Sequence, residues 1–207
     1  MIQRRVIKLG GSLLDLDDLV PRLRTWLAAQ QPMPSVMLVG GGRLADAIRD
    51  AYAVHSLGEE AAHWLCIRLL GVTAELLAKL LPEATLVRES GELFVAEATR
   101  RLVVFDPEQF LREEASLIER YSVGGIAPLP HSWDVTSDSI AARLAVLPHT
   151  GELVLLKSSL PSNTATLRQA ADAGYVDRYF PTAAADLPRV RCVSLRSDTF
   201  AETSLWQ

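Results

Sequence analysis

The sequence predicts an α/β fold on a mainly parallel sheet, and two consecutive strand-loop-helix units near the N-terminus predict it. Arg5 to Leu9 reads as a short buried strand, ended by Gly10, Gly11 and Ser12 and followed by a helical pattern from about Asp18 to Gln30. The unit then repeats: Ser35 to Val39 is an apolar strand, Gly40, Gly41 and Gly42 make the turn, and Arg43 to Ala53 is an amphipathic helix. Two strands that each end in glycine and feed a helix belong to a parallel sheet, with both loops on one edge.

The remaining elements follow the same logic. From about Gly58 to Leu81 a long helical stretch carries Leu65, Leu69, Val72, Leu76 and Leu80 at helical spacing, which reads as a central buried helix; its apolar character also suggests a homodimer. Short strands are expected at Ala84 to Arg88 and Arg101 to Phe105, then a helix from near Pro107, because proline suits a first helical turn. Beyond a loop from Gly124 to Asp134, Ile140, Ala141, Leu144 and Ala145 form a helical stripe. Glu152 to Leu156 reads as a strand, Thr164 to Ala173 as a helix, and Val190 to Leu195 as the last strand. Without a linker or a longer repeat, residues 1–207 are expected to form one domain, any two lobes sharing one sheet.

Composition narrows the partners. With 49% apolar and 22% charged residues and a net charge of −4, the chain has the balance of a globular domain and lacks the basic footprint of a nucleic-acid binder. Charges interrupt every apolar run, so neither a signal peptide nor a membrane span is expected. The two cysteines, Cys66 and Cys192, lie in different kinds of segment and read as free thiols of a reducing, cytoplasmic compartment. A small-molecule partner is favoured.

Of 21 cationic residues only Lys8, Lys79 and Lys157 are lysines. Lys79 lies within a helical run and reads as solvated, whereas Lys8 and Lys157 end strands. In KLGGS, Lys8 to Ser12, the lysine precedes two glycines whose backbone N–H groups can approach a phosphate; the alternative is an ordinary Gly-Gly turn. In VGGGR, Val39 to Arg43, three glycines open a helix whose N-terminal dipole favours an anion, with Arg43 and Asp46 in its first turns. In DVTSDSIAA, Thr136 or Ser137 reads as an N-cap and Asp138 as a first-turn acid, which dipole and capping effects alone would explain. Lys157, followed by Ser158 and Ser159, repeats the placement of Lys8. Together, two lysines, two glycine turns and an aspartate on one sheet edge offer what phosphoryl transfer needs: cations, backbone donors and a carboxylate to orient the cations. His63 and Cys66 lack a second His/Cys pair, so no zinc site is expected; His63 and Trp64 read as core or pocket residues.

The order VIKLGGSLL, MLVGGGRLADAIR, long helix, VTSDSIAARLA and LVLLKS resembles the amino acid kinase family over about residues 5 to 180. The resemblance implies a three-layer αβα sandwich and transfer of the γ-phosphoryl group of ATP, with Mg²⁺, to a small acceptor. It implies that Lys8 contacts the moving phosphoryl group, that Gly10, Gly11 and Ser12 bind phosphate, and that Gly40 to Gly42 hold the acceptor. Asp138 would organise the lysines, and Lys157 and Ser158 would open the nucleotide pocket. About 1–130 would bind the acceptor and about 131–207 would be a shortened nucleotide half. Many members carry a second catalytic lysine in a late glycine-rich segment; here Lys157 would substitute for it. The chain is similar to a compact branch that includes the methanofuran-pathway kinase acting on aminomethylfuranyl-methyl phosphate, through GGGRLADAIR, AHW (Ala62 to Trp64) and SWDVTSDS. That likeness implies a phosphate-monoester acceptor partnered by Arg43 or His63, with Asp134 for its amine. A carboxylate kinase like acetylglutamate kinase, and a degenerate nucleotide-binding regulator, are the competing readings.

Overall fold

A computed structural model describes residues 4–93, 102–120, 125–147, 152–162 and 165–206. Arg101, Gly124 and Thr164, each expected to bound an element, lie outside the described residues. The strands are β1 (Arg5–Leu9), β2 (Ser35–Val39), β3 (Thr85–Val87), β4 (Leu102–Phe105), β5 (Glu152–Lys157), β6 (Val190–Ser194) and β7 (Glu202–Leu205). They form one seven-stranded sheet in the order β3-β4-β2-β1-β5-β6-β7. Every pair is parallel except β6–β7.

The strands are apolar throughout because both faces are covered. Side chains alternate, so Val6, Val36, Leu38, Val103, Phe105, Leu153 and Leu155 enter one core, while Ile7, Leu9, Met37, Val39, Val104, Val154 and Leu156 enter the other. Lys8 breaks this apolar rule at the C-terminal end of β1. Its register partners are Leu38 and Leu155.

The helices are α1 (Leu19–Ala28), α2 (Gly42–His55), α3 (Glu59–Leu80), α4 (Glu108–Arg120), α5 (Ser137–Val146), α6 (Leu167–Asp172) and α7 (Phe180–Ala183), with a 3₁₀ turn at Gly11–Asp15. The central buried helix is α5, not α3. All ten residues of α5 are buried, and it packs on β1, β5 and β2. In α3 the buried face is Ala62, His63, Ile67, Leu70, Thr73, Ala74 and Leu77. The leucine stripe expected in the core is instead turned outward, with Leu65, Val72, Leu76 and Leu80 exposed and Leu69 half-buried. Small and polar residues share the inward face with Ile67, Leu70 and Leu77, and the helix passes close to the end of β4: at Gly71 a Cβ would lie 2.5 Å from an Asp106 carboxylate oxygen. By length and composition α3 could cross a membrane, yet it packs on β2, β4 and α2.

Two elements differ from the sequence reading. Val190 to Ser194 is followed by a further strand, β7, whose segment ETSL has no apolar run because only Leu205 of it is buried. α6 begins at Leu167, where a reciprocal capping box between Thr166 and Gln169 fixes its start.

Candidate active site

The parallel ladder ends all its central strands on one edge, and the two glycine turns continue it. Gly10 N–H donates to the Leu156 carbonyl and Gly40 N–H to the Leu9 carbonyl, each at 2.8 Å. The turns are glycine-rich largely because they press on each other. A Cβ on Gly11 would lie 2.1 Å from the Gly42 nitrogen, one on Gly40 would lie 2.7 Å from the Gly11 nitrogen, and Gly42 has φ +54°. Gly41 is closed off by Ala45, 2.7 Å from where a Cβ would stand. Gly10 is looser, its nearest neighbour being the Leu156 carbonyl oxygen at 3.2 Å.

Next to these turns lies a buried charge triad. The Asp138 Oδ1 is 2.9 Å from Lys8 Nζ and its Oδ2 is 2.9 Å from Lys157 Nζ. Lys8 and Asp138 side chains are 7% exposed and Lys157 15%. Burial alone would raise the Asp138 pKa, but the two ammonium groups outweigh it and hold the carboxyl below its ordinary range. Burial lowers the pKa of Lys157, and the nearby Lys8 charge adds to this while Asp138 opposes it. Lys157 also donates to the Tyr175 carbonyl and sits 4.5 Å from the centre of the Tyr175 ring. A carboxylate so paired is a poor base, and its capacity is to fix two cations in place.

Asp138 is free for this because another acid caps its helix. Thr136 is the N-cap by position, but its side chain makes no capping bond. Asp177 instead accepts from Thr136 N–H at 3.0 Å, Thr136 Oγ1 at 2.9 Å, Ser139 N–H at 3.0 Å and the Ser139 hydroxyl. Sequence reasoning missed Asp177, which lies 41 residues from Thr136 with no local signal. Ser12 Oγ and Ser158 Oγ are 2.9 Å apart, joining the first turn to the end of β5.

On the β2 side of Lys8 opens a cavity of about 230 Å³. Lys8, Gly11 and Gly40 to Gly42 line it, with Ala45, Asp46 and Arg49 from α2 and His63, Cys66, Ile67 and Leu70 from α3. Ser132, Trp133, Val135, Thr136, Ser137 and Ile140 supply the far wall. Arg49 pairs with Asp46 at 2.5 Å and lies 5.6 Å from the Trp133 ring centre. His63 is 5% exposed, and its Nδ1 stands 3.3 Å from the Ser132 carbonyl oxygen. Burial, helped by the neighbouring His131, keeps the His63 pKa below its ordinary value. This favours the neutral ring. Since a carbonyl only accepts, the proton sits on Nδ1 and Nε2 presents a lone pair.

Three residues expected at the acceptor are not on the cavity wall. Arg43 turns outward, 82% exposed, to Asp15 at 2.9 Å. Asp134 is exposed and 3.8 Å from Arg178. Trp64 stacks edge-on against His63 and His131, with Arg112 4.2 Å from its ring centre. Among the lining residues that sequence reasoning did not place at the acceptor are Arg49, Ser132 and Trp133, and Cys66 was weighed only as a metal ligand. Arg49 was within reach, because it lies three residues after Asp46 on the helix that the glycine turn opens.

The sequence matches the amino acid kinase family over residues 3–159. The chain belongs to that family and is a phosphotransferase of the kinase type. Among solved structures, the UMP kinase of Ureaplasma parvum superposes with a TM-score of 0.63 at 12% identity, covering 100% of both chains. The uridylate kinase of Archaeoglobus fulgidus gives 0.60 at 16% identity, covering 91% of this chain and 89% of the other. Aspartate kinase from Synechocystis gives 0.63 at 15% identity over 98% of this chain, which spans 40% of that longer protein. At such identities the likeness establishes the fold. No curated protein matches the sequence.

Proposed function

We propose that this protein transfers the γ-phosphoryl group of MgATP to a phosphate monoester bound in the cavity, giving a diphosphate. The observation that carries the reading is the Asp138 carboxylate held between Lys8 and Lys157, each at 2.9 Å, at the sheet edge where the cavity opens. Lys8 lines the cavity and Lys157 does not, so the acceptor approaches from the β2 side and the nucleotide from the β5 side.

In this mechanism an acceptor oxygen attacks the γ-phosphorus in line with the departing bridge oxygen, and ADP leaves. Lys8 stays with the phosphoryl group in flight, and Lys157 neutralises charge growing on the β–γ bridge. Asp138 orients both ammonium groups and takes no proton. Gly11 and Ser12 offer backbone donors to the phosphates, the Gly10 N–H expected to join them being taken by the Leu156 carbonyl at 2.8 Å, and Ser158 flanks the nucleotide. Both Asp138 oxygens are engaged by lysines, so Mg²⁺ arrives on the nucleotide as part of the substrate.

Lys8 and Arg49 line the cavity, Arg49 held by Asp46 at 2.5 Å, and an anionic acceptor such as aminomethylfuranyl-methyl phosphate would compete with Asp46 for Arg49, while the apolar wall of Ile67, Leu70 and Ile140 suits a small ring. Arg49, not Arg43, is the partner for the acceptor phosphate. The His63 Nε2 lone pair suits an acceptor ammonium better than a phosphate. On this reading the half of about 1–130, closed by the segment 132–137, binds the acceptor, and the remainder of the half of about 131–207 binds the nucleotide. The exposed stripe of α3, Leu65, Val72, Leu76 and Leu80, is the face for a homodimer, and the setting is cytoplasmic.

The test is an acceptor panel with MgATP, following ADP release. Phosphate monoesters with an aminomethyl ring should support turnover and free carboxylates should not. Turnover on amino-acid carboxylates alone would make the protein an acyl-phosphate-forming kinase. ATP binding without turnover on any acceptor would make it a regulator.

A further inference from the structure

The strand order β2-β1-β5-β6 sets an axis along the site. The cavity lies at β2 and β1, Lys8 ends β1, and Lys157 ends β5. If the acceptor sits at one end, the phosphates of the departing nucleotide extend toward β6. An ammonium has three N–H donors, and Lys157 already commits two, to Asp138 and to the Tyr175 carbonyl. One donor is little for a diphosphate leaving group.

Just past the end of β6 stands Arg196. Ser194 is the register partner of Lys157, and the Leu195 N–H donates to the Lys157 carbonyl at 2.9 Å, which fixes Arg196 beside the triad's end of β5. Its guanidinium donates to the Ser12 carbonyl at 3.3 Å, in the first glycine turn, whose hydroxyl meets Ser158. Most arginines that touch other groups here are neutralised: Arg191, on the same strand, is shared by Glu152 and Glu202, and Asp198 near Arg196 is taken by Arg22 at 3.1 Å. Arg196 has no carboxylate within ion-pair distance among the described residues. It is an exposed cation with donors to spare, tethered to the turn that Lys8 opens.

We infer that Arg196 binds the α- and β-phosphates of the nucleoside diphosphate and stabilises it as the leaving group, a part that no lysine late in the chain can supply. This rests on the kinase reading above. A planar fork suits two phosphate oxygens at once, so lysine should replace it only in part.

The test is calorimetric titration with MgADP, without acceptor, of the wild type, R196A and R196K, alongside thermal unfolding of each unliganded protein. The inference predicts about tenfold weaker binding by R196A, an intermediate R196K, and unchanged unfolding temperatures. Binding by R196A within about twofold of wild type overturns the inference and leaves the kinase reading standing. Weaker binding matched by a lower unfolding temperature overturns it too, since the role would then be structural. No MgADP binding by the wild type overturns the kinase reading and this inference together.

Discussion

Replacing Asp138 with asparagine removes one charge and keeps the shape. Asn can accept from one ammonium through Oδ1, but its NH₂ then faces the other, so one lysine loses its anchor and meets a donor. Both ion pairs are 2.9 Å long between side chains that are 15% exposed or less. Breaking such a buried arrangement costs about 3–5 kcal/mol. Part of this is relieved because the asparagine oxygen still accepts from one of the two ammonium groups. A residual loss of about 3 kcal/mol in a chain of this size lowers Tm by roughly 6–12 °C. The start of α5 should survive, since Asp177 caps it. Displacing a catalytic cation by about 1 Å costs on the order of a hundredfold in rate, or about 2.7 kcal/mol of barrier. The assay is turnover per folded molecule, with MgATP and the best acceptor, well below the Tm of the variant. Turnover within about threefold of wild type, with the fall in Tm intact, would refute the reasoning and leave Asp138 a structural acid.

Lys8→Ala removes the cation that faces both cavity and triad, and kcat should fall at least about a hundredfold with little change in ATP binding, measured by steady-state kinetics and titration. Gly11→Ala forces a Cβ to within 2.1 Å of the Gly42 nitrogen, backbone against backbone, so the two turns must part; urea unfolding should show a loss of about 3 kcal/mol or an insoluble product. Arg49→Ala should raise the KM of a phosphate-bearing acceptor about tenfold and leave the KM of ATP unchanged. The depressed pKa of Asp138 gives stability that is full above its unfolded value near 4 and is lost as pH falls through the lower folded value. The stability gap between wild type and Asp138→Asn, followed by thermal unfolding, should therefore close on acidification below about pH 4.

Most of the sheet was legible because parallel strands covered on both faces leave continuous apolar runs, and glycine turns mark where they end. Lys8, Asp138 and Lys157 were each ambiguous alone, and became a group only through the inference that the turns share an edge. What periodicity did not give was which side of a helix faces inward. In α3 the stripe Leu65, Val72, Leu76 and Leu80 points outward, while Leu70 and Leu77 face the fold together with Ala62 and Ala74, so two apolar stripes compete on one helix and spacing alone does not choose between them. The glycines misled in a similar way. Their spacing suggested space for a ligand, while much of the demand comes from Gly11 and Gly42 touching each other. Asp177 and β7 were invisible for a different reason: a long-range cap and a half-exposed edge strand leave no local pattern.

On the proposed function the phosphoryl group moves at the Lys8–Asp138–Lys157 triad. A crystal structure with a non-hydrolysable MgATP analogue and a phosphate-monoester acceptor would show this. The γ-phosphate is expected within hydrogen-bond reach of Lys8 Nζ, the β–γ bridge within reach of Lys157 Nζ, and the acceptor in the cavity beside Arg49. A nucleotide whose phosphates all lie beyond reach of both lysines, with the Asp138 pairs undisturbed, would contradict it.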